Sequence, residues 1–302
     1  MAFTMHSHSG QFCPGHAKDQ LEAIIQHAIS IGYKTMGLTE HMPRLDIADL
    51  YPEEATPKPP CPSSPPVTRP TSLRLNACAK NRPPHRLRGE WYRPAYGPFI
   101  KSLASHPAVD YFIGSLHHVN AVPIDYSREM YIDAMNTAGG NEEKMYERYY
   151  DQQHEMLTAL EPRIVGHFDL VRLMSEDPGR DVRKWKGVWE RIVRNLGVVR
   201  GYGGLLECNS SALRKGLDEP YPCRVIAEAW LKMGGRFTFS DDSHGIAQVA
   251  TNYKRNLDYL ESLGVKEVYT FERGPVEGVN GHAKAALREK GVALGMFREN
   301  FK

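Results

Sequence analysis

The sequence predicts an α/β protein built around a barrel of parallel strands, on three observations. Short apolar segments alternate with amphipathic segments along most of the 302 residues, a pattern typical of parallel strands joined by helices. Most of the predicted strands end in His, Asp, Glu or Asn, and the carboxyl ends of the strands carry the active site in a βα barrel. There is no G-x-G-x-x-G or P-loop motif, so an open nucleotide-binding sheet has no support.

The composition is that of an ordinary globular protein. Hydrophobic residues make up 41% and charged residues 25%, and a net charge of +2 indicates neither a polyanion nor a membrane surface as partner. No apolar run of about 18 residues and no secretory signal is present. The five cysteines lack CxxC spacing, which predicts reduced thiols and a cytoplasmic protein. Histidine is unusually frequent, with 13 residues.

The first 40 residues predict a βα unit that is followed by a second strand. Phe3 to His6 is a short apolar strand, and a helix follows with Asp19 as its N-cap. This helix has apolar residues at 21, 24, 25 and 28, the spacing of one buried helical face, and Gly32 ends it. The next strand covers 33–38 and leads into Thr39-Glu40-His41.

The second half of the chain repeats the same alternation. The predicted strands are 111–116, 163–166, 203–206, 236–239 and 267–271. The predicted helices are 142–160, 182–198, 221–233 and 253–263. We therefore expect one domain over 1–302, formed by strands and helices in alternation.

Residues 56–88 interrupt this pattern. The segment has nine prolines, seven Lys or Arg residues and no Asp or Glu. Proline-rich, basic composition without hydrophobic periodicity is typical of a disordered segment. We expect a disordered or aberrant insert within the domain.

Histidines and one aspartate at strand ends form a candidate metal site. Imidazole with a few carboxylates suits Zn²⁺, Fe or Mn²⁺. The candidates are too many for one ion, which indicates two or three, and a multinuclear site of this kind is suited to hydrolysis. The candidate ligands are His6, His8, His16, His41, His117, His167, Asp242 and His244.

The motifs that contain these residues resemble the PHP superfamily of metal-dependent phosphoesterases: HSH (6–8), TEH (39–41), GSLHH (114–118), GHFDL (166–170), LECN (206–209) and SDDSH (240–244). Within it, TEHMPR (39–44), YPEE (51–54), GEWYRP (89–94) and GHFDLVRL (166–173) are similar to fungal-type histidinol-phosphate phosphatases. The resemblance implies a distorted (β/α)7 TIM-like barrel with three divalent metal ions. It also implies hydrolysis of L-histidinol phosphate to L-histidinol and phosphate in L-histidine biosynthesis.

The resemblance also assigns roles to single residues. His6, His8 and Asp242 would hold one ion, His117 and His167 a second, and His16, His41 and His244 a third. A metal-bound hydroxide would be the nucleophile, so no catalytic side chain is expected. Arg44 and Arg172 are candidates for the substrate phosphate, because the guanidinium group matches phosphate geometry, and Asn209 for the substrate's amino or imidazole group. We expect a small-molecule substrate and no nucleic acid.

One departure from the family pattern concerns a glutamate that bridges two ions in the family. That position is Arg88 here, with Glu90 two residues further on. Three interpretations follow: an active histidinol-phosphate phosphatase, a catalytically impaired metal-binding barrel, or a PHP phosphoesterase with another substrate, such as an exonuclease-like domain.

The departure also suggests an error in the reading frame or in splicing. Codons for residues 83–88 can be chosen so that a shift of one nucleotide reads Leu-Leu-Ile-Gly-Phe-Glu, an apolar strand that ends in glutamate. Under this hypothesis 56–88 lacks a well-formed strand and the chain is a weak enzyme or none.

Overall fold

A computed structural model describes residues 1–12, 15–46, 49–51, 85–91, 93–106, 109–273 and 287–301. The strands in these ranges are β1 (Ala2–Thr4), β2 (Tyr33–Met36), β3 (Thr39–His41), β4 (His85–Glu90), β5 (Val109–Ser115), β6 (His118–Val119), β7 (Val122–Pro123), β8 (Ile164–Val165), β9 (Leu205–Asn209), β10 (Phe237–Ser240), β11 (Glu267–Arg273) and β12 (Leu287–Ala293). The α-helices are α1 (Leu21–Ser30), α2 (Tyr96–Ala104), α3 (Arg128–Thr137), α4 (Glu142–Leu160), α5 (Lys186–Tyr202), α6 (Ser211–Arg214), α7 (Arg224–Lys232), α8 (Tyr253–Ser262) and α9 (Leu294–Arg298). None of these helices is long and apolar enough to cross a membrane.

The main sheet has six parallel strands in the order β3-β4-β5-β8-β9-β10, which is also their order in the chain. The segment around β1 lies between the two edges of this sheet. On the β10 side, Met5 N donates to Phe239 O at 3.1 Å. On the other side, Thr39 N donates to Ser7 O at 2.9 Å. The sheet therefore curls round, which confirms the predicted distorted barrel.

Helix α4 shows how the sequence forms the outer layer. Asn141 caps its first turn by accepting a hydrogen bond from Lys144 N at 3.0 Å. Met145, Tyr149 and Met156 are fully buried on one face of the helix, and each buried side chain of this size contributes about 1.5–3 kcal/mol relative to exposure. The predicted helix at 142–160 is confirmed at both ends.

Three of the predicted helix starts are wrong. The α-helix predicted from 182 begins at Lys186, and a short 3-10 helix occupies Val182–Lys184. Asp19 does not cap α1, since Gln20 is the N-cap residue and makes no side-chain capping bond. The Asp19 carboxylate instead accepts a hydrogen bond from Ile246 N at 2.9 Å, 227 positions away. The helix predicted from 221 begins at Arg224, because the backbone of Tyr221 pairs with Asn209 at the end of β9.

The prediction that 56–88 lacks a well-formed strand is wrong for its last four residues. They belong to β4, which pairs in parallel with β3 on one side and with β5 on the other. The buried charge of Arg88 is accommodated in this strand because Arg88 forms an ion pair with Glu90 inside the barrel. Residues 56–84 lie outside the described part of the chain.

Candidate metal centre

The first predicted ligand set converges on a single carboxylate oxygen. His6 and His8 follow β1, and their Nε2 atoms lie 3.3 and 3.2 Å from Oδ1 of Asp242, which follows β10. One ligand atom from each residue lies within 4.8 Å of the others. All three side chains are buried. This is the clustering that one metal ion requires of its ligands.

A second group of histidines adjoins the first and shares His8 with it. The His8 ring centroid lies 4.5 Å from that of His41 and 4.4 Å from that of His244, and ligand atoms of the three lie within 4.8 Å of one another. His16 packs against the same pair, with ring centroids 4.6 Å from His41 and 4.8 Å from His244. The structure therefore brings the predicted set of His16, His41 and His244 together.

His117 and His167 form a third group beside the first, since the ring centroid of His167 lies 6.0 Å from that of His6. The ring centroids of His117 and His167 are 4.6 Å apart. Nδ1 of His117 lies 2.9 Å from Oδ2 of Asp125, a contact that orients the ring so that Nε2 faces the centre. Burial, reinforced by His117, lowers the pKa of His167 to about 3, so His167 is neutral near pH 7 and keeps a lone pair for a ligand.

The donor atoms in this region fit divalent metal ions. Several buried ring nitrogens make no hydrogen bond within the described residues: Nε2 of His117, both nitrogens of His167 and Nε2 of His244. A buried polar atom without a partner costs about 1–3 kcal/mol, so several in one place indicate a missing ligand. Burial lowers the pKa of His244 to about 3, which keeps its imidazole in the neutral form that binds metals.

Two of the candidate ligands have left-handed backbone conformations. The φ angle is 21° at His167 and 48° at Asp242. Residues other than glycine rarely adopt positive φ, and such strain clusters at functional sites. Both residues lie directly at or after the ends of strands, where the chain turns the side chain toward the centre of the barrel.

Glu207 is a positioning residue that the sequence analysis did not single out. Its buried carboxylate accepts hydrogen bonds from Nδ1 of His6 at 2.7 Å, from His167 N at 2.8 Å and from Ser240 Oγ. Burial would raise the pKa of Glu207, but the neighbouring His6 lowers it. The available signal was its place in LECN, at the end of a predicted strand.

Two predicted substrate-binding residues make structural contacts. Arg172 is buried, and its guanidinium donates to Asp169 Oδ2 at 2.8 Å and to the backbone carbonyls of Glu219 and Pro220 at 2.9 and 2.8 Å. Asn209 is buried and donates from Nδ2 to Glu207 at 2.9 Å. These contacts direct both side chains toward the protein itself.

A cavity of about 360 Å³ opens over the candidate ligands. Among its lining residues are His16, His117, Asp242 and His244, together with Asp125, Tyr126, Arg214 and Lys215. Arg214 donates to the backbone carbonyls of Asp241 and Asp242 at 2.9 and 3.0 Å, so it supports the loop that carries a ligand. Lys215 is exposed at the cavity wall and is a better placed cation for a phosphate than Arg172.

Glu90 lies between two of the ligand groups. Its Oε1 atom is 3.5 Å from Nδ1 of His41 and 3.8 Å from Nε2 of His117. The same carboxylate forms ion pairs with Arg44 and Arg88. Burial would raise the pKa of Glu90, but Arg44 and Arg88 hold it well below its ordinary value. The predicted phosphate ligand Arg44 is thus engaged with Glu90 at the edge of the site.

Comparison with known proteins identifies the family of the chain. The PHP domain model matches residues 4–211. The chain is 38% identical over 279 residues to the probable histidinol-phosphatase of Schizosaccharomyces pombe, covering 91% of each protein. It is 30% identical over 298 residues to the histidinol-phosphatase of Saccharomyces cerevisiae, covering 84% of this chain and 87% of that one.

Solved structures support the fold independently. The chain superimposes on histidinol phosphate phosphatase from Lactococcus lactis, solved with zinc, L-histidinol and phosphate, with a TM-score of 0.61 at 17% identity. That match covers 90% of this chain and 97% of the other. A hisK structure from Listeria monocytogenes gives a TM-score of 0.67 at 20% identity, covering 84% of this chain and 99% of the other.

Proposed function

Because the chain belongs to the PHP domain family and to its histidinol-phosphatase branch, we propose that it hydrolyses L-histidinol phosphate to L-histidinol and phosphate. This is a phosphoric monoester hydrolase activity, and it would serve L-histidine biosynthesis in the cytoplasm. The observation that carries the proposal is the convergence of the three ligand groups on one cavity. The names of the two fungal relatives supply the substrate.

The eight candidate ligands offer sets of donors for up to three Zn, Fe or Mn ions. His6, His8 and Asp242 would hold one ion, His117 and His167 a second, and His16, His41 and His244 a third. Divalent ions, when bound, lower the pKa of a water molecule and neutralise phosphoryl oxygens. No protein nucleophile is required for such a reaction. The zinc found in the Lactococcus lactis structure is consistent with this donor set.

The protein's own side chains orient the ligands and receive the substrate. Glu207 accepts a hydrogen bond from Nδ1 of His6, and Asp125 accepts one from Nδ1 of His117. The Nε2 lone pairs of both rings therefore face the centre. Lys215 is placed to offset the negative charge of a phosphate. Asp125 and Tyr126 offer acceptors to the ammonium and imidazole groups of the substrate. The cavity size is within the range of small-molecule sites, about 300–1,000 Å³.

Phosphate release from L-histidinol phosphate tests the proposal. We expect the purified protein to release phosphate, to lose this activity when treated with a chelator, and to regain it when Zn²⁺ or Mn²⁺ is added. p-Nitrophenyl phosphate and a single-stranded oligonucleotide serve as comparison substrates. If the metal-loaded protein hydrolyses the oligonucleotide and not L-histidinol phosphate, the exonuclease-like interpretation is correct instead.

A further inference from the structure

Arg88 places a permanent positive charge among the candidate metal ligands. It lies on β4, two residues before Glu90, so the two side chains project to the same face of the strand. Its side chain is 2% exposed. Nη2 lies 2.6 Å from Nδ1 and 2.9 Å from Nε2 of His41, and 2.7 Å from Oε1 of Glu90. Nη1 lies 4.0 Å from Oδ1 of Asp242. The guanidinium is therefore surrounded by groups that would otherwise face a metal ion.

These contacts compete with a metal ion for a lone pair of His41 and for the carboxylate of Glu90. A guanidinium has five N–H donors and no acceptor, and it stays protonated in proteins. A nitrogen of His41 that accepts a hydrogen bond from Arg88 cannot donate the same lone pair to a cation. Glu90 is likewise engaged by Arg88, although its Oε1 atom lies between His41 and His117 in the position of a bridging carboxylate.

The contact of Arg88 with the first ligand group is longer, since Nη1 lies 4.0 Å from Oδ1 of Asp242. Nε2 of His117 and both ring nitrogens of His167 make no hydrogen bond within the described residues. His6 is oriented by Glu207 and keeps Nε2 directed at Asp242. Among the candidate ligands, the histidine that Arg88 contacts most closely is thus His41, while Nε2 of His244 in the same group makes no hydrogen bond within the described residues.

We propose that the guanidinium of Arg88 takes the place of one metal ion, the one that His16, His41 and His244 would hold. The chain then binds fewer ions than its ligand set allows, and Glu90 becomes a bridging ligand only when Arg88 is removed. This inference depends on the proposed function, since it assumes a metal centre. It concerns stoichiometry, which can be measured without an activity assay.

Equilibrium dialysis against Zn²⁺, followed by elemental analysis, tests the inference. We expect Arg88→Glu to bind one further equivalent of Zn²⁺ per chain than the wild type. Arg88→Met removes the charge at similar volume, and we expect it to gain Zn²⁺ as well. Arg88→Lys keeps the charge and should match the wild type. Arg93→Met is the control, because Arg93 pairs with Asp49 outside the ligand groups.

The possible outcomes separate this inference from the proposed function. If wild type, Arg88→Met and Arg88→Glu bind equal, non-zero amounts of Zn²⁺, Arg88 does not replace an ion and only this inference fails. If Arg88→Glu does not fold, the comparison of wild type with Arg88→Met decides. If no variant binds Zn²⁺, both proposals fail. Weaker binding of inorganic phosphate by Arg88→Met at unchanged Zn²⁺ content would also overturn the inference and make Arg88 a phosphate ligand.

Discussion

Replacing Glu207 by glutamine is a sharp test of how the first metal site is built. The Oε1 atom of Glu207 accepts from His6 and Ser240, while Oε2 accepts from His167 N and from Asn209. Glutamine has one acceptor oxygen, so its NH₂ group must face one of these pairs of donors. The backbone N–H of His167 cannot change its role, whereas the His6 ring can change tautomer. We therefore expect the NH₂ group of the glutamine to face Nδ1 of His6. Nδ1 must then accept a hydrogen bond, so the ring proton of His6 moves to Nε2.

That tautomer removes the lone pair that faces Asp242. Loss of such an orienting partner typically lowers metal affinity by about 10–100-fold, which corresponds to about 1.4–2.7 kcal/mol. The assay is the dissociation constant for Zn²⁺, measured by competition with a chromogenic chelator. Glu155→Gln on the exposed side of α4 is the control. An unchanged dissociation constant in Glu207→Gln, with the fold intact by circular dichroism, would refute the reasoning.

Four further predictions concern other parts of the chain. His117→Ala and His167→Ala should each lower bound metal per chain by elemental analysis, and wild-type content in both would contradict the site. Lys215→Gln should raise KM for L-histidinol phosphate about two- to fivefold, as an exposed charge pair is worth about 0.2–1 kcal/mol, without changing metal content. Arg172→Lys should lower the free energy of unfolding by about 1–3 kcal/mol in urea titrations, because lysine cannot reach Asp169 and both carbonyls together; unchanged stability would contradict this. Finally, sequencing the transcript should reveal codons at 84–88 that shift to Leu-Ile-Gly-Phe-Glu, and codons that cannot do so would exclude the frame hypothesis.

The candidate ligands could be proposed from the sequence because each one follows the end of a predicted element. His6, His41, His167 and Asp242 follow short apolar runs, and parallel strands in a barrel bring such ends together. No knowledge of side-chain contacts was needed for this step. The partition into separate ions came from the family resemblance, and the structure adds that His8 is close to two of the groups.

Residues whose role depends on distant partners were harder to predict. Arg172 was assigned to the phosphate from its position after GHFD, yet its partners include the carbonyls of Glu219 and Pro220, 47 and 48 positions away. Glu207 was passed over because its importance comes from His6, 201 positions away. Local sequence patterns carry no information about contacts of this kind.

The segment before Glu90 forms a strand although its side chains depart from the family pattern. Local composition predicted no strand there, but the neighbouring strands β3 and β5 supply hydrogen-bond partners on both sides of β4. The backbone can therefore complete the sheet even where the side chains depart from the family pattern. The frame hypothesis now rests on the chemistry of Arg88 and no longer on the absence of a strand.

The left-handed backbone at His167 and Asp242 has a consequence for directed evolution of this chain. Strained backbone of this kind costs of order 1–3 kcal/mol per residue, and glycine or asparagine relieves much of that cost. A library selected for thermal tolerance in the presence of a chelator would therefore enrich Gly or Asn at both positions and lose the candidate ligands, because no bound metal would then stabilise the native state. Selection for heat resistance without metal should favour Gly or Asn at positions 167 and 242, whereas selection for metal retention should favour His and Asp.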